Sequence, residues 1–257
     1  MKILVLGDVV SQCGCEKVRR TLPSFKRLKK IDLCLANGEN SAKGNGITPE
    51  SADYLFSSGV DFITTGNHAF RRSEMYDYFD RSDCVIRPFN YPVGAPGKGT
   101  GVIDMGRVGV GVINLSGTMF MENLENPFYA VEKALDEIKD CRIKLLDFHA
   151  ETTSEKKALA YYLDGRISAF FGTHTHVQTS DERILPKKTG YITDLGMCGP
   201  KESVLGVKKE IVIEKFKTNL PVRFETDEDS QCTLCGCIFT VDEKSGECLG
   251  VERFEIE

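Results

Sequence analysis

Short apolar runs alternate with charged segments of helical period through the first two-thirds of the chain. Met1–Leu6, with its run Ile3-Leu4-Val5-Leu6, reads as an opening strand. Glu16–Lys29 then places Val18, Leu22, Phe25 and Leu28 at the spacing of one helix face. Asp32–Ala36 reads as a second strand. Thr48-Pro49-Glu50 offers an N-cap and a proline at the first helical position for a helix through Ser57. Asp61–Thr64 reads as a strand, Ser73–Phe79 as a helix and Val85–Ile86 as a short strand. That βαβα rhythm predicts an α/β fold, a mostly parallel or mixed sheet with helices on its faces.

The stretch from Pro88 to Gly101 is rich in proline and glycine and reads as a loop; loops of that length inside a compact domain are often functional. Gly101–Met105 and Val108–Asn114 flank Gly106-Arg107 as a hairpin entering a second sheet. Pro127–Lys139 reads as a helix, Ile143–Phe148 as a strand, Ser154–Leu163 as a helix and Ala169–Phe171 as a strand. Near the end, Cys237–Val241 and Leu249–Ile256 alternate as strands around the turn Asp242-Glu243-Lys244-Ser245-Gly246. No repeat, low-complexity tract or linker interrupts this order, so one domain over residues 1–257 is the simplest account.

Composition changes the picture little. An apolar share of 41% and a charged share of 28% are ordinary for a globular chain. A net charge of -5 argues against a broad nucleic-acid surface, which must neutralise many phosphates. A small phosphorylated substrate stays open, because bound cations can reverse the local field. Met1-Lys2 runs directly into the first apolar strand and not into a signal peptide, and no stretch approaches the roughly 20 apolar residues of a membrane span. A cytoplasmic protein with no membrane partner is expected. The 10 cysteines are scattered. Cys232, Cys235 and Cys237, with Cys248, would make a zinc site, but Cys237 begins an apolar run and the two separated pairs of a zinc ribbon are missing. Packed or surface thiols are the expectation.

The chemistry concentrates at strand ends. All 4 histidines follow apolar runs: His68 in Gly66-Asn67-His68, His149 after Leu145-Leu146-Asp147-Phe148, and the pair in Gly172-Thr173-His174-Thr175-His176. Asp8 follows Ile3-Leu4-Val5-Leu6-Gly7, and Glu39-Asn40 follows Leu33-Cys34-Leu35-Ala36-Asn37-Gly38. Open α/β sheets gather ligands at the carboxyl ends of their strands. Carboxylates neutralise cations, imidazoles add affinity for iron, zinc or manganese, and neutral amides trim the charge. Taken singly, Asp8 reads equally well as a cap, Glu39 and Asn40 as turn residues, and His149 as a satisfied interior histidine. Jointly they point to a metal site. Gly38 and Gly66 are read as allowing tight turns beside it. Lys43, or the backbone amides of its segment 41–47, is a candidate phosphate binder, with a flexible turn before the Thr48-Pro49 helix start as the alternative. Arg87 and Lys98 are candidates with a solvated-surface alternative. Phe89 and Tyr91 either stack on a base or anchor their loop.

The ordered set Gly7-Asp8, Gly38-Glu39-Asn40, Gly66-Asn67-His68, His149 and Gly172-Thr173-His174-Thr175-His176 resembles the motifs of the calcineurin-like metallophosphoesterases. Ile86-Arg87-Pro88-Phe89-Asn90-Tyr91-Pro92, Pro96-Gly97-Lys98-Gly99 and Tyr191–Pro200 extend the resemblance to the bacterial YmdB-type branch. It implies two facing mixed β-sheets flanked by helices. It also implies two metal ions per subunit, iron foremost with manganese or zinc as alternatives. Asp8, Glu39, Asn40 and His176 would hold one metal. Glu39 as bridge, with Asn67, His149 and His174, would hold the other. A hydroxide shared by the metals would attack phosphorus, and His68 would be the general acid. The chain departs from the wider superfamily in Asp8-Val9-Val10, where a histidine is usual two residues after the aspartate; Asn40 is the natural substitute. Ala69 stands where the superfamily has an acidic residue, so no carboxylate is expected to orient His68.

The resemblance further implies a phosphodiesterase of 2′,3′- or 3′,5′-cyclic nucleotides, with a small nucleotide as partner and a homo-oligomer left open. The same site chemistry would serve a phosphomonoesterase or nuclease, and a metal-bound regulatory binding protein is the non-enzymatic alternative. His68 favours turnover, since a sensor has no use for a general acid.

Overall fold

The period-two alternation of the first strand, β1 (Lys2–Val10), sets the layering. Ile3 and Val5 face a second sheet, whereas Leu4 and Leu6 face helices. The computed structural model describes residues 1–257. After β1 come α1 (Ser11–Lys29), β2 (Leu33–Asn40), α2 (Pro49–Ser57), β3 (Phe62–Thr64), α3 (Met75–Arg81), β4 (Thr100–Asp104) and β5 (Gly109–Ser116). The order continues with α4 (Pro127–Glu137), β6 (Ile143–His149), α5 (Thr153–Leu163), β7 (Ala169–Thr173), β8 (Arg183–Ile184), β9 (Gly190–Ile192) and β10 (Met197–Pro200). It closes with α6 (Lys209–Thr218), β11 (Cys232–Val241) and β12 (Cys248–Ile256).

Two 6-stranded sheets result, ordered β12-β11-β10-β1-β2-β3 and β4-β5-β6-β7-β9-β8. Both are mixed. β1 runs parallel to β2 and β10 but antiparallel to β11, and β5, β6, β7 and β9 are parallel to one another. Ile3, Val5, Leu35 and Phe62 of one sheet meet Val112, Leu145 and Phe171 of the other in a central core. Val18 and Leu22 of α1 and Leu55 of α2 cover the outer face of the first sheet. Val131 and Ala134 of α4, with Leu159 and Leu163 of α5, cover the second. The layers are therefore helix, sheet, sheet, helix, the expected αββα sandwich.

Two details aim strand ends at one place. The β1–β2 pairing shifts register on both sides of Asp8, an irregularity of the kind that redirects a side chain. In the other sheet Ser116, His149 and Thr173 sit side by side at the last registered positions of β5, β6 and β7.

Several expected boundaries move. α1 begins at Ser11 instead of Glu16, directly after β1, because Glu228 caps its start: the Cys13 N–H donates to Glu228 Oε2 at 3.0 Å and the Ser11 hydroxyl to Oε1. An anion there suits the positive end of the helix dipole, and it comes from 215 residues away. Leu28, expected on the buried face, is exposed. Val85–Ile86 forms only a single bridge, Ile63 to Val85. The sequence reading omitted α6 and the short β8, β9 and β10; α6 buries only Val212 and so carries little apolar pattern. The cysteines form no zinc cluster. Cys237 lies in the core between the sheets, and the one grouping of three His, Cys, Asp or Glu donors is elsewhere.

Thr48 caps α2 as expected, its side chain accepting from the Ser51 N–H at 3.2 Å while Ser51 Oγ accepts from the Thr48 N–H at 3.0 Å. Thr48→Ala is expected to lower unfolding free energy by about 1 kcal/mol. Urea denaturation checks this; no shift in midpoint would contradict it.

Candidate metal centre

The carboxyl ends of β1, β2, β6 and β7 and the turn after β3 bring the expected residues together. Glu39, at the end of β2, is 1% exposed. Its Oε1 lies 3.1 Å from His149 Nε2. His149 Nε2 is 2.9 Å from Asn67 Oδ1 and 3.1 Å from His174 Nδ1. Glu39, Asn67, His149 and His174 thus converge. On the other side of Glu39, Asn40 Nδ2 lies 3.2 Å from Glu39 Oε1 and 3.4 Å from His176 Nε2. Asp8 Oδ1 is 3.7 Å from His176 Nε2. Asp8, Glu39, Asn40 and His176 form a second, adjoining group.

The donor set fits cations. Asp8 is completely buried, and its Oδ1 has no hydrogen-bond partner although Oδ2 accepts from the His174 N–H at 3.1 Å. A buried acceptor without a donor asks for an ion or an equivalent. Two carboxylates, two amides and three imidazoles are the mixture that borderline divalent ions take. A cation in the second group would take Asn40 by its oxygen. Turned over, the amide would set its oxygen beside Glu39 and His176 and its NH₂ against His68 Nδ1.

Electrostatics say the same. Burial pushes Glu39 up, but the charge and hydrogen bond of His149, with help from His68, hold it at about 2. Burial likewise opposes charge on His149, yet Glu39, Asp8 and Asp147 raise it to about 9. Burial and then the charge of His149 drive His174 down to about 3. Burial raises Asp8 above the ordinary aspartate value. The proton that Glu39 draws onto His149 occupies the place a cation would take.

Each imidazole is held from behind. The Thr173 hydroxyl donates to Asp147 Oδ1 at 2.7 Å, leaving its oxygen to accept from His149 Nδ1 at 2.9 Å. That network keeps a proton on Nδ1, so that Nε2 is the nitrogen turned toward the centre. His176 Nδ1 donates to Leu205 O at 3.0 Å, and Glu151 Oε2 lies 3.0 Å from His174 Nε2. Asp147, itself pushed up to about 6 chiefly by burial, also accepts from Thr64 and Asn37. The sequence reading missed this supporting shell, although an aspartate two residues before His149 in an apolar strand necessarily shares its face.

His68 sits beside both groups. Its N–H donates to Glu39 Oε2 at 2.9 Å, and its Nδ1 is 2.8 Å from Asn40 Oδ1 and 3.4 Å from Glu39 Oε1. The ring's hydrogen-bond partner is the Asn40 amide and not a carboxylate, with Glu39 Oε1 next to it and Ala69 contributing nothing polar. Burial lowers the His68 pKa more than Glu39 raises it. Arg87 is not a phosphate binder. It is buried, and its guanidinium donates to the carbonyls of Pro88, Phe89, Ala95 and Pro96. Lys98 pairs with Asp83 at 2.7 Å. Tyr91 anchors its loop, with its ring 5.3 Å from Phe70 and its hydroxyl 2.6 Å from Glu122. Phe89 packs against the outer core of the second sheet. Lys43 gives its carbonyl to Arg72 at 2.7 Å. A cavity of about 420 Å³ is lined by Gln12, Ser41, Lys43, Tyr54 and Arg72, and no residue of the centre lines it.

Gly66 matters for space and not for a turn: its backbone is outside the positive-φ set, but a Cβ there would come within 2.2 Å of the His149 ring. Gly66→Ala is expected to destabilise by about 1–3 kcal/mol, a cost that vanishes in a His149→Ala background. A double-mutant cycle by urea unfolding checks the coupling; equal costs in both backgrounds would contradict it.

A model of the YmdB-like protein family matches residues 4–254. The Bacillus subtilis (strain 168) protein named 2′,3′-cyclic-nucleotide 2′-phosphodiesterase is 44% identical over 257 residues, covering 100% of this chain and 97% of the relative. A crystal structure of a Mycoplasma pneumoniae protein described as a novel phosphatase superposes with a TM-score of 0.94 at 33% identity, over 100% of this chain and 93% of that one. The 5′-nucleotidase precursor of Thermus thermophilus, at 14% identity and a TM-score of 0.58 over 100% of this chain and 54% of that one, shares the fold alone. By family match and full-length identity together, the chain belongs to the YmdB-like protein family.

Proposed function

We propose that this phosphoric ester hydrolase is a dinuclear metal-dependent phosphodiesterase that opens cyclic nucleotides, 2′,3′-cyclic monophosphates first and 3′,5′-cyclic monophosphates as the alternative. The observation that supports this most is the convergence of Glu39 with His149 and His174, beside a buried Asp8 oxygen that no donor satisfies. The full-length relative's name supports the substrate class. Asp8, Glu39, Asn40 and His176 would hold one ion; Glu39, Asn67, His149 and His174 the other. Iron is the first candidate, with manganese or zinc as alternatives. Bound ions of this kind supply charge neutralisation at the phosphoryl oxygens and a strong nucleophile at neutral pH.

The chain's own residues do the rest. Glu39, between the two groups, fixes their separation while its other oxygen holds the His68 backbone. In the reaction, an oxygen derived from water bonds to phosphorus, the P–O2′ bond breaks, and protonated His68 delivers its proton to O2′. An anionic phosphate beside the ring favours that protonated form against the effect of burial. A cytoplasmic location belongs to the same proposal; no helix is long and apolar enough to cross a membrane.

The test separates general-acid chemistry from mere folding. His68→Ala is expected to slow hydrolysis of 2′,3′-cyclic AMP by about 10²–10⁴-fold. Bis(p-nitrophenyl) phosphate, whose leaving group needs no proton, should suffer far less. Equal losses on both substrates would remove His68 from this role. Faster wild-type turnover of phosphomonoesters than of every cyclic nucleotide would overturn the substrate assignment.

A further inference from the structure

Behind the double-histidine turn lies an ion pair without access to solvent. Lys156, on the first turn of α5, is 0% exposed, and Asp194, between β9 and β10, is 1% exposed. Lys156 Nζ donates to Asp194 Oδ2 at 2.7 Å and to the Thr173 carbonyl at 2.8 Å. Asp194 Oδ2 also accepts from the Thr175 N–H at 3.3 Å, and Oδ1 from the Gly196 N–H at 2.9 Å. The Gly196 carbonyl accepts from the Asp8 N–H at 3.0 Å. The pair therefore grips the residue before His174 and the residue between the two histidines, and reaches the backbone of Asp8 through Gly196.

The turn needs such a grip. His174 and His176 have φ of 97° and 64°, a region that L side chains rarely adopt. Residues so placed persist only where their surroundings over-determine them. Nor is the pair well explained as a source of stability. The cost of desolvating two buried charges offsets most of their attraction, and an apolar pair of similar volume often does as well. What an apolar pair cannot do is accept the Thr175 N–H and donate to the Thr173 carbonyl.

We propose that Lys156 and Asp194 are positioning residues, whose hydrogen bonds hold the His174-Thr175-His176 turn in the strained conformation that aims both imidazoles at the metal centre. The proposal rests on the metal reading of that centre but concerns residues outside it. It also gives a use to Thr193-Asp194-Leu195-Gly196, part of the segment that carried the family resemblance.

The experiment uses the full-length protein stripped of metal. In Lys156→Met/Asp194→Leu, circular dichroism and a cooperative thermal melt report folding, and equilibrium dialysis against manganese reports the centre. The folded variant should bind manganese about 10–100-fold more weakly than wild type, the range for losing outer partners of ligating histidines. A folded variant with wild-type affinity overturns the proposal. Hydrogen exchange of the metal-free wild type gives an arm that does not depend on the variant folding: the Thr175 amide should be protected, and exchange at the rate of an unstructured peptide overturns the proposal. Wild-type protein that binds no manganese, iron or zinc would instead defeat the metal reading, and the exchange arm would still judge the grip.

Discussion

Two carboxylates, Asp8 and Glu39, are removed from water where the strand ends of two sheets meet, and this constraint governs the region around them. A buried charge costs several kcal/mol unless it is paired. Glu39 answers the cost by drawing a proton onto His149, and its partners act as a relay of donors from His68 and Asn40. Asp8 is left with one oxygen unanswered. Of the remaining groups that face the pair, Asn67 Oδ1 can only accept, and burial and the charge of His149 keep His174 neutral. Such an arrangement is stable with positive charge inside it, and divalent ions supply more than one imidazolium can.

The fold is organised to hold that arrangement. Parallel strands deliver residues from both sheets to one edge, and the register irregularity around Asp8 turns its carboxylate toward the other sheet. α5 ties the surroundings together with two consecutive charged residues. Glu155 accepts from the Thr118 and Met119 N–H groups after β5, while Lys156 reaches the carbonyl at the end of β7. The helix that covers the outer core thus also fastens two loops beside the centre. Strain at His174 and His176 is tolerable because the backbone around them is fixed on several sides.

The fold class and the centre were legible in the sequence because both leave local marks. Apolar runs ending in Asp, Glu or His mark strands that bring those side chains together at their carboxyl ends, and Thr48-Pro49 marks a helix start. What stayed hidden depends on distant partners. The start of α1 is set by Glu228, and the grip on the double-histidine turn by Lys156 and Asp194, which no spacing rule connects. Arg87 was misread because a charged residue beside a proline-rich loop looks exposed, whereas the loop folds back and offers it four carbonyls. The partner of the His68 ring is hidden for the same reason: with Ala69 beside it in sequence, the ring is held by the Asn40 amide from the end of β2.

Anomalous X-ray scattering from crystals grown with manganese addresses the central claim most directly. The account predicts two peaks flanking Glu39, one ringed by Asn67, His149 and His174 and the other by Asp8, Asn40 and His176. A centre without anomalous density, or ions bound only elsewhere on the protein, would contradict it.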